Sequence, residues 1–112
     1  MAIQIFGVKK CFDTKKAQRY FKERRVNFQF IDLSIKSLSK GELNSVKAAV
    51  GLHSLINSKS KEYKTLNLDR ILSASMREEL LLHHPGLYQT PIVRNGKQAT
   101  VGYNPKVWDS WQ

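Results

Sequence analysis

Cys11 is the residue whose type and position best suit covalent chemistry. It is the one cysteine of the 112-residue chain, and it lies between an apolar segment and a stretch with helical periodicity. The thiolate is the nucleophilic form, and helix N-termini and nearby cations lower the pKa of a thiol. Nearby cations are supplied by Lys9, Lys10, Lys15 and Lys16. We therefore predict a reactive thiol; a small buried packing residue is the alternative that a lone cysteine leaves open.

The neighbours of this cysteine limit its redox chemistry. The sequence Cys-Phe-Asp-Thr places Thr14 where a redox pair would carry its second cysteine. No disulfide can form within a chain that has one cysteine, so turnover requires an external thiol such as glutathione, or a mixed disulfide with a partner. We expect the Thr14 hydroxyl to donate a hydrogen bond to the thiolate. Asp13 is expected to cap the following helix, with proton transfer near Cys11 as its alternative role.

Thr90-Pro91 is the second informative position. A proline that opens a strand opposite the thiol fits a cis peptide bond, which costs little before proline. The backbone there would be available to pair with an extended peptide or with glutathione. An ordinary proline at the first residue of a strand is the alternative.

The periodicity of apolar residues predicts an α/β fold with the element order β-α-β, helices, β-β-α. Four strands are expected, at residues 3–8, 27–33, 90–94 and 99–101. A right-handed crossover through a helix that ends near Arg25 makes the first two strands parallel. This order is that of a thioredoxin-like fold with a helical insert at about residues 35–88, built as a single domain over residues 1–112.

Capping and turn residues predict where several elements begin and end. Ser39 and Glu42 have the spacing of a capping box, and Gly51 suits the end of the helix that they open. The other boundary signals are a polar loop at 57–61, a helical turn at 62–66, a helix opened by Ser75, a hairpin turn at Asn95-Gly96 and a final helix opened by Asn104-Pro105.

The composition narrows the partners of the protein. The chain has 19 lysines and arginines against 9 acidic residues, a net charge of +10, which attracts anionic molecules and acidic proteins. No block of consecutive basic residues is present, so direct binding of nucleic acid is not expected and a solvated basic surface is the alternative.

No apolar run approaches the roughly 20 residues that span a bilayer. The first residues are typical of a strand rather than a signal peptide, and we expect a cytoplasmic protein.

The histidines and tryptophans are expected to be structural. His83 and His84 are adjacent on a predicted helix and point to different faces, and His53 stands apart, so neither a metal site nor a bound cofactor is expected. Trp108 and Trp111 lie three residues apart on one helical face, which favours packing over stacking on nucleic-acid bases.

The sequence resembles the arsenate reductase family over nearly its whole length. Residues 7–17, from Gly7-Val8-Lys9-Lys10-Cys11, resemble the active-site segment of that family, and residues 57–66 resemble its central loop. Three segments are similar to the Spx-type transcription regulators within the family: His84-Pro85-Gly86-Leu87, Thr90-Pro91-Ile92-Val93 and Val101-Gly102-Tyr103-Asn104.

Resemblance to the reductases implies a thioredoxin-like fold with a helical insert, and a cysteine that attacks arsenate while glutathione and glutaredoxin complete the cycle. Those enzymes hold the oxyanion with three arginines. Matched by position, Asn57 stands at the first arginine, Thr90 at the second, and Gly102-Tyr103 replaces the third, while Arg94 lies nearby after the proline. We therefore expect a thiol-dependent reductase with Cys11 as nucleophile and little or no activity on arsenate, because bidentate guanidinium contacts are lost.

Resemblance to the Spx-type regulators implies a different role. Those proteins bind the C-terminal domain of the RNA polymerase α subunit and sense oxidation through a Cys-x-x-Cys pair. Gly51 occupies about the place of a glycine used in that contact, whereas Thr14 replaces the second cysteine, so the disulfide switch is not expected. Three hypotheses remain: a glutathione-linked reductase, a regulator that binds the polymerase, and a family member without chemistry that binds a partner.

Overall fold

Four strands form one mixed sheet in a computed structural model that describes residues 3–111. The strands are β1 (Ile3–Gly7), β2 (Phe28–Asp32), β3 (Ile92–Asn95) and β4 (Gln98–Val101), in the spatial order β2-β1-β3-β4. β1 and β2 are parallel, as predicted, with Ile5 opposite Phe30. β3 is antiparallel to both β1 and β4.

Helices occupy the connections between the strands and the end of the chain. They are α1 (Phe12–Glu23), α2 (Lys40–Val50), α3 (Leu52–Leu55), α4 (Lys61–Thr65), α5 (Ala74–His83) and α6 (Pro105–Asp109), with two short 3-10 helices at Leu68–Arg70 and Pro85–Leu87. The predicted capping box is present, since the Ser39 hydroxyl accepts the N–H of Glu42 and the Glu42 carboxylate accepts the N–H of Ser39. Among the described residues, no helix has both the length and the apolarity needed to cross a bilayer.

Most predicted boundaries differ by one to three residues from the observed ones: β3, for example, begins at Ile92 rather than at residue 90. Three of these differences concern caps and turns. α1 begins at Phe12, so its N-cap is Cys11 rather than Asp13 or Thr14. α5 is capped by Ser73, whose hydroxyl accepts the N–H of Met76, instead of starting at Ser75. The hairpin turn lies at Gly96 and the residue after it, because Asn95 is still paired with Gln98. The positive φ of 61° at Gly96 explains the glycine there.

The two faces of the sheet are covered differently. α1 and α6 pack on one face, where Ile3, Ile5 and Val93 join a buried cluster with the aromatic side chains of both helices. The helices between β2 and β3 cover part of the other face, where Phe6 and Ile92 are buried and Ala99 and Val101 of β4 pack against the same cluster. This arrangement buries the end of β1 that leads into Cys11.

The remaining part of the second face is polar. Gln4 donates to the side-chain oxygen of Gln29 over 3.3 Å, and Nη1 of Arg94 donates to the side-chain oxygen of Gln4 over 2.8 Å. These three side chains lie on neighbouring strands. They form a polar row on the part of the sheet that lies away from Cys11.

Candidate thiol site

Cys11 lies where the chain leaves β1 and enters α1. Its backbone is extended, with φ of −82° and ψ of 122°, and its N–H donates to the carbonyl of Val8 over 3.1 Å. A short turn thus links the end of the strand to the first turn of the helix. The free N–H groups of that turn carry the positive end of the helix dipole. The sulfur therefore lies in a partly buried position that favours negative charge.

Thr90 contacts this sulfur from the segment before β3. Its hydroxyl donates to Sγ over 3.2 Å, and Sγ lies 3.9 Å from its carbonyl oxygen. The backbone fixes Thr90 on both sides, since the N–H of Gln89 donates to Leu55 and the N–H of Gly102 donates to Pro91, each over 2.8 Å. The Thr90-Pro91 bond is cis, which confirms the sequence prediction.

Thr14 approaches the sulfur from within α1. Its side chain is fully buried, and Oγ1 has no hydrogen-bond partner among the described residues. Gly7 provides the space for it, because a Cβ on Gly7 would lie only 2.5 Å from Thr14 Oγ1. A buried hydroxyl without a partner is costly, and a charged sulfur beside it would offer an acceptor.

The balance of these contacts lowers the pKa of the Cys11 thiol. Burial is the largest influence and raises the pKa, but it is outweighed by the hydroxyls of Thr14 and Thr90 and by the N–H groups of Thr14 and Asp13. The N–H groups are oriented toward the sulfur without closing a capping hydrogen bond. Hydrogen bonds to the charged form favour thiolate, so the thiolate fraction rises near neutral pH.

The lysines do not have the effect on the Cys11 pKa that the sequence predicted. No charged side chain is among the largest influences on the Cys11 pKa. Lys15 and Lys16 are exposed and place their ammonium groups 5.7 Å from the ring of Phe12 and 5.6 Å from the ring of Tyr103. Lys10 is also exposed, at a cleft of about 380 Å³ on the side of the insert. Solvent screens such charges, whereas the hydroxyls act at contact distance.

Two predicted site residues lie elsewhere. The amide oxygen of Asn57 accepts the N–H of Lys59 over 3.0 Å, so the side chain closes the loop before α4. Arg94 belongs to the polar row, where its guanidinium donates to Gln4 and to the carbonyl of Gly96. Its placement in the site was wrong, because β1 and β3 are antiparallel and Arg94 is paired with Gln4, away from the end of β1 that precedes Cys11.

Two residues near the thiol, Phe12 and Gly7, have roles that the sequence did not predict. Phe12 follows Cys11 directly, and its ring is 78% exposed and open to a ligand. Tyr103, which the resemblance placed at the third arginine, packs against Trp108 with the ring centroids 5.5 Å apart. Gly7 was not singled out, although a glycine at the end of a strand often marks a close approach. No group of His, Cys, Asp and Glu side chains within residues 3–111 is arranged as metal ligands would be.

The mixed sheet, the N-capping cysteine and the cis-proline segment that faces it define a thioredoxin-like thiol protein. The ArsC family model matches residues 6–111. The chain therefore belongs to the ArsC family.

Similar proteins include both Spx regulators and arsenate reductases. The "Global transcriptional regulator Spx 2" of Oceanobacillus iheyensis is 30% identical over 107 residues, which cover 93% of this chain and 78% of that protein. An arsenate reductase from Vibrio cholerae has a solved structure that is 26% identical, with a TM-score of 0.84 over 96% of this chain and 94% of that one. An ArsC family related protein from Bacteroides fragilis matches over 100% of both chains with a TM-score of 0.86 at 18% identity, which shows the shared fold.

Proposed function

We propose that this protein is a thiol-dependent reductase in which Cys11 is the nucleophile and glutathione or a glutaredoxin-type protein is the thiol donor. The observation that carries the proposal is the surroundings of Sγ, which lies at the N-cap of α1 and accepts the Thr90 hydroxyl at 3.2 Å. A cysteine that served only packing would need neither feature. Both favour the thiolate, which is the nucleophilic form.

An external thiol is required to complete the cycle. Cys11 is the one cysteine of the chain, so an adduct on its sulfur is released only when a second molecule attacks it. The cytoplasm, where we place the protein, holds glutathione in a reducing pool. The residue after the thiol, Phe12, has an exposed ring with the Lys15 ammonium group 5.7 Å from its centroid, and this pair suits a peptide thiol that carries carboxylates.

The test consists of two measurements on Cys11: its reaction with oxidised glutathione and its rate of alkylation, each as pH is varied. We expect one glutathione adduct by mass spectrometry. We expect the alkylation rate to rise with pH and to level off, with a midpoint below that of an ordinary free thiol. The sign follows from the surroundings of the thiol, because the hydroxyls of Thr90 and Thr14 lower the pKa of Cys11. Cys11→Ser is the control and should form no adduct. A midpoint at or above the free-thiol value, without an adduct, would make Cys11 a packing residue.

Arsenate is a further test of specificity. We expect little or no arsenate reduction with glutathione and glutaredoxin, because no guanidinium lies among the main contacts of the sulfur and Arg94 is held by Gln4. This activity is measured as the arsenite formed together with oxidised glutathione. Robust turnover that Cys11→Ser abolishes would show that another cation holds the oxyanion.

The second candidate function is regulation through the RNA polymerase α subunit. The relationship to an Spx regulator favours it, and so does Gly51, which is exposed between α2 and α3 with a φ of 85° and no atoms near the position of a Cβ. Titration of the purified α C-terminal domain with this protein tests the role directly. Saturable binding that Cys11→Ser retains would favour the regulator over the reductase, and an absence of binding would exclude it.

A further inference from the structure

We propose that Thr90 is the positioning residue that holds the Cys11 thiolate, and that this arrangement directs the site toward disulfides rather than tetrahedral oxyanions. The inference rests on the proposed function, because it names the substrate class of the same thiol. It is carried by the Thr90 hydroxyl, which donates to Sγ over 3.2 Å, together with the buried and unpartnered hydroxyl of Thr14.

Two groups of Thr90 lie near the sulfur, and they have opposite effects on ionisation of the thiol. The hydroxyl donates to Sγ at 3.2 Å and stabilises the thiolate, while the carbonyl oxygen, 3.9 Å away, accepts only the S–H of the neutral thiol. The hydroxyl contact is the shorter of the two. Since residues on both sides of Thr90 are fixed by backbone hydrogen bonds, this donor is held in place before the thiol ionises, and little reorganisation is needed.

Thr14 supplies independent support for an anionic sulfur at this place. Its hydroxyl is fully buried and has no hydrogen-bond partner among the described residues. Ionisation of Cys11 offers this hydroxyl a charged acceptor. The two hydroxyls belong to different elements, α1 and the segment before β3, so two separate parts of the chain favour the charged sulfur.

The chemistry of these donors selects the substrate. A tetrahedral oxyanion carries charge on several oxygens and is best held by guanidinium forks. Around Sγ the main contacts are single hydroxyl and N–H donors, which match one charged sulfur atom. The exposed ring of Phe12 adds an apolar surface beside the thiol that suits a neutral disulfide.

Glutathione is the only co-reactant that the proposed reaction needs. The Cys11 thiolate attacks the glutathione sulfur of a mixed disulfide, the new Cys11–glutathione bond forms as the old S–S bond breaks, and the released thiolate takes a proton from water. A second glutathione thiolate then attacks the glutathione sulfur on Cys11. Cys11 returns as a thiolate, oxidised glutathione leaves, and the substrate has been reduced by two electrons.

The experiment compares Thr90→Val, Thr90→Ser and, as a matched control on the exposed side of α4, Thr65→Val. The pH profile of Cys11 alkylation and the rate of its reaction with oxidised glutathione are measured for each folded variant. We expect Thr90→Val to raise the midpoint by about one pH unit, which is about a tenfold loss of thiolate below the midpoint. Thr90→Ser and Thr65→Val should keep the wild-type profile. Millimolar inorganic phosphate, as a tetrahedral oxyanion, should not slow the wild-type reaction.

The outcomes separate this inference from the proposed function. A wild-type profile in Thr90→Val would overturn the role of Thr90, while an adduct with glutathione would still support the reductase. A shifted midpoint in Thr90→Val without any glutathione adduct on the wild type would support the role of Thr90 and overturn the reductase. Competition by phosphate would overturn the substrate class.

Discussion

Trp108→Ala should destabilise the protein by about 3–5 kcal/mol, the usual cost of removing a large buried aromatic side chain. Trp108 of α6 is fully buried against α1, and its ring centroid lies 5.1 Å from that of Tyr20 and 5.2 Å from that of Phe21. Its indole N–H donates to the Thr100 hydroxyl over 2.8 Å, so the variant also leaves a buried group without its partner. Since small domains are stable by about 5–15 kcal/mol, this is a large fraction of the total.

Urea denaturation monitored by circular dichroism measures the change in the free energy of unfolding. Val107→Ala is the matched control, because Val107 neighbours Trp108 on α6 and is 42% exposed, and it should change the free energy of unfolding by about 0.5 kcal/mol or less. Trp111 remains as a fluorescent probe in the variant. A loss below about 1 kcal/mol in Trp108→Ala would show that α6 contributes little to the fold, contrary to its buried contacts.

The fold was largely predictable because its signals are local. The periodic apolar residues of α1 and α2 and the capping box at Ser39 depend on neighbours within one helical turn. The parallel pairing of β1 and β2 follows from the handedness of the crossover. The start of α1 was misplaced because asparagine, aspartate, serine and threonine are the usual N-caps, whereas here a cysteine takes that position to present its sulfur.

The site was less predictable, because its contacts join residues far apart in the chain. Thr90 and Cys11 are 79 residues apart; the element order predicted that their segments face each other, but the rotamer of Thr90 depends on its surroundings. The error at Arg94 was avoidable. Alternate strand residues share a face, so Arg94 lies on the face of Ile92, whose side chain packs with the insert cluster rather than with α1.

Gly7→Ala should affect both stability and the thiol, because this glycine links the end of β1 to the site. The added Cβ would lie 2.5 Å from Oγ1, 2.6 Å from Cγ2 and 3.1 Å from Cβ of Thr14, which is itself fully buried. Either the strand or the first turn of α1 must shift. We expect a loss of about 1–3 kcal/mol, as for other overpacked cores, and a higher midpoint for Cys11 alkylation because the Thr14 hydroxyl is displaced.

A double variant separates these two effects. Gly7→Ala with Thr14→Ala removes the two closest overlaps, so it should recover much of the stability, yet the thiol midpoint should stay raised because one of the two hydroxyl donors is gone. Gly41→Ala is the control for the glycine change itself: no atom lies within 4 Å of its Cβ position, and the helical site favours alanine. If Gly7→Ala kept both the wild-type stability and the wild-type midpoint, the close packing of Thr14 on Gly7 would not support the thiolate. If the double variant restored the midpoint as well, Thr90 and the N–H groups of α1 would suffice to hold the charged sulfur.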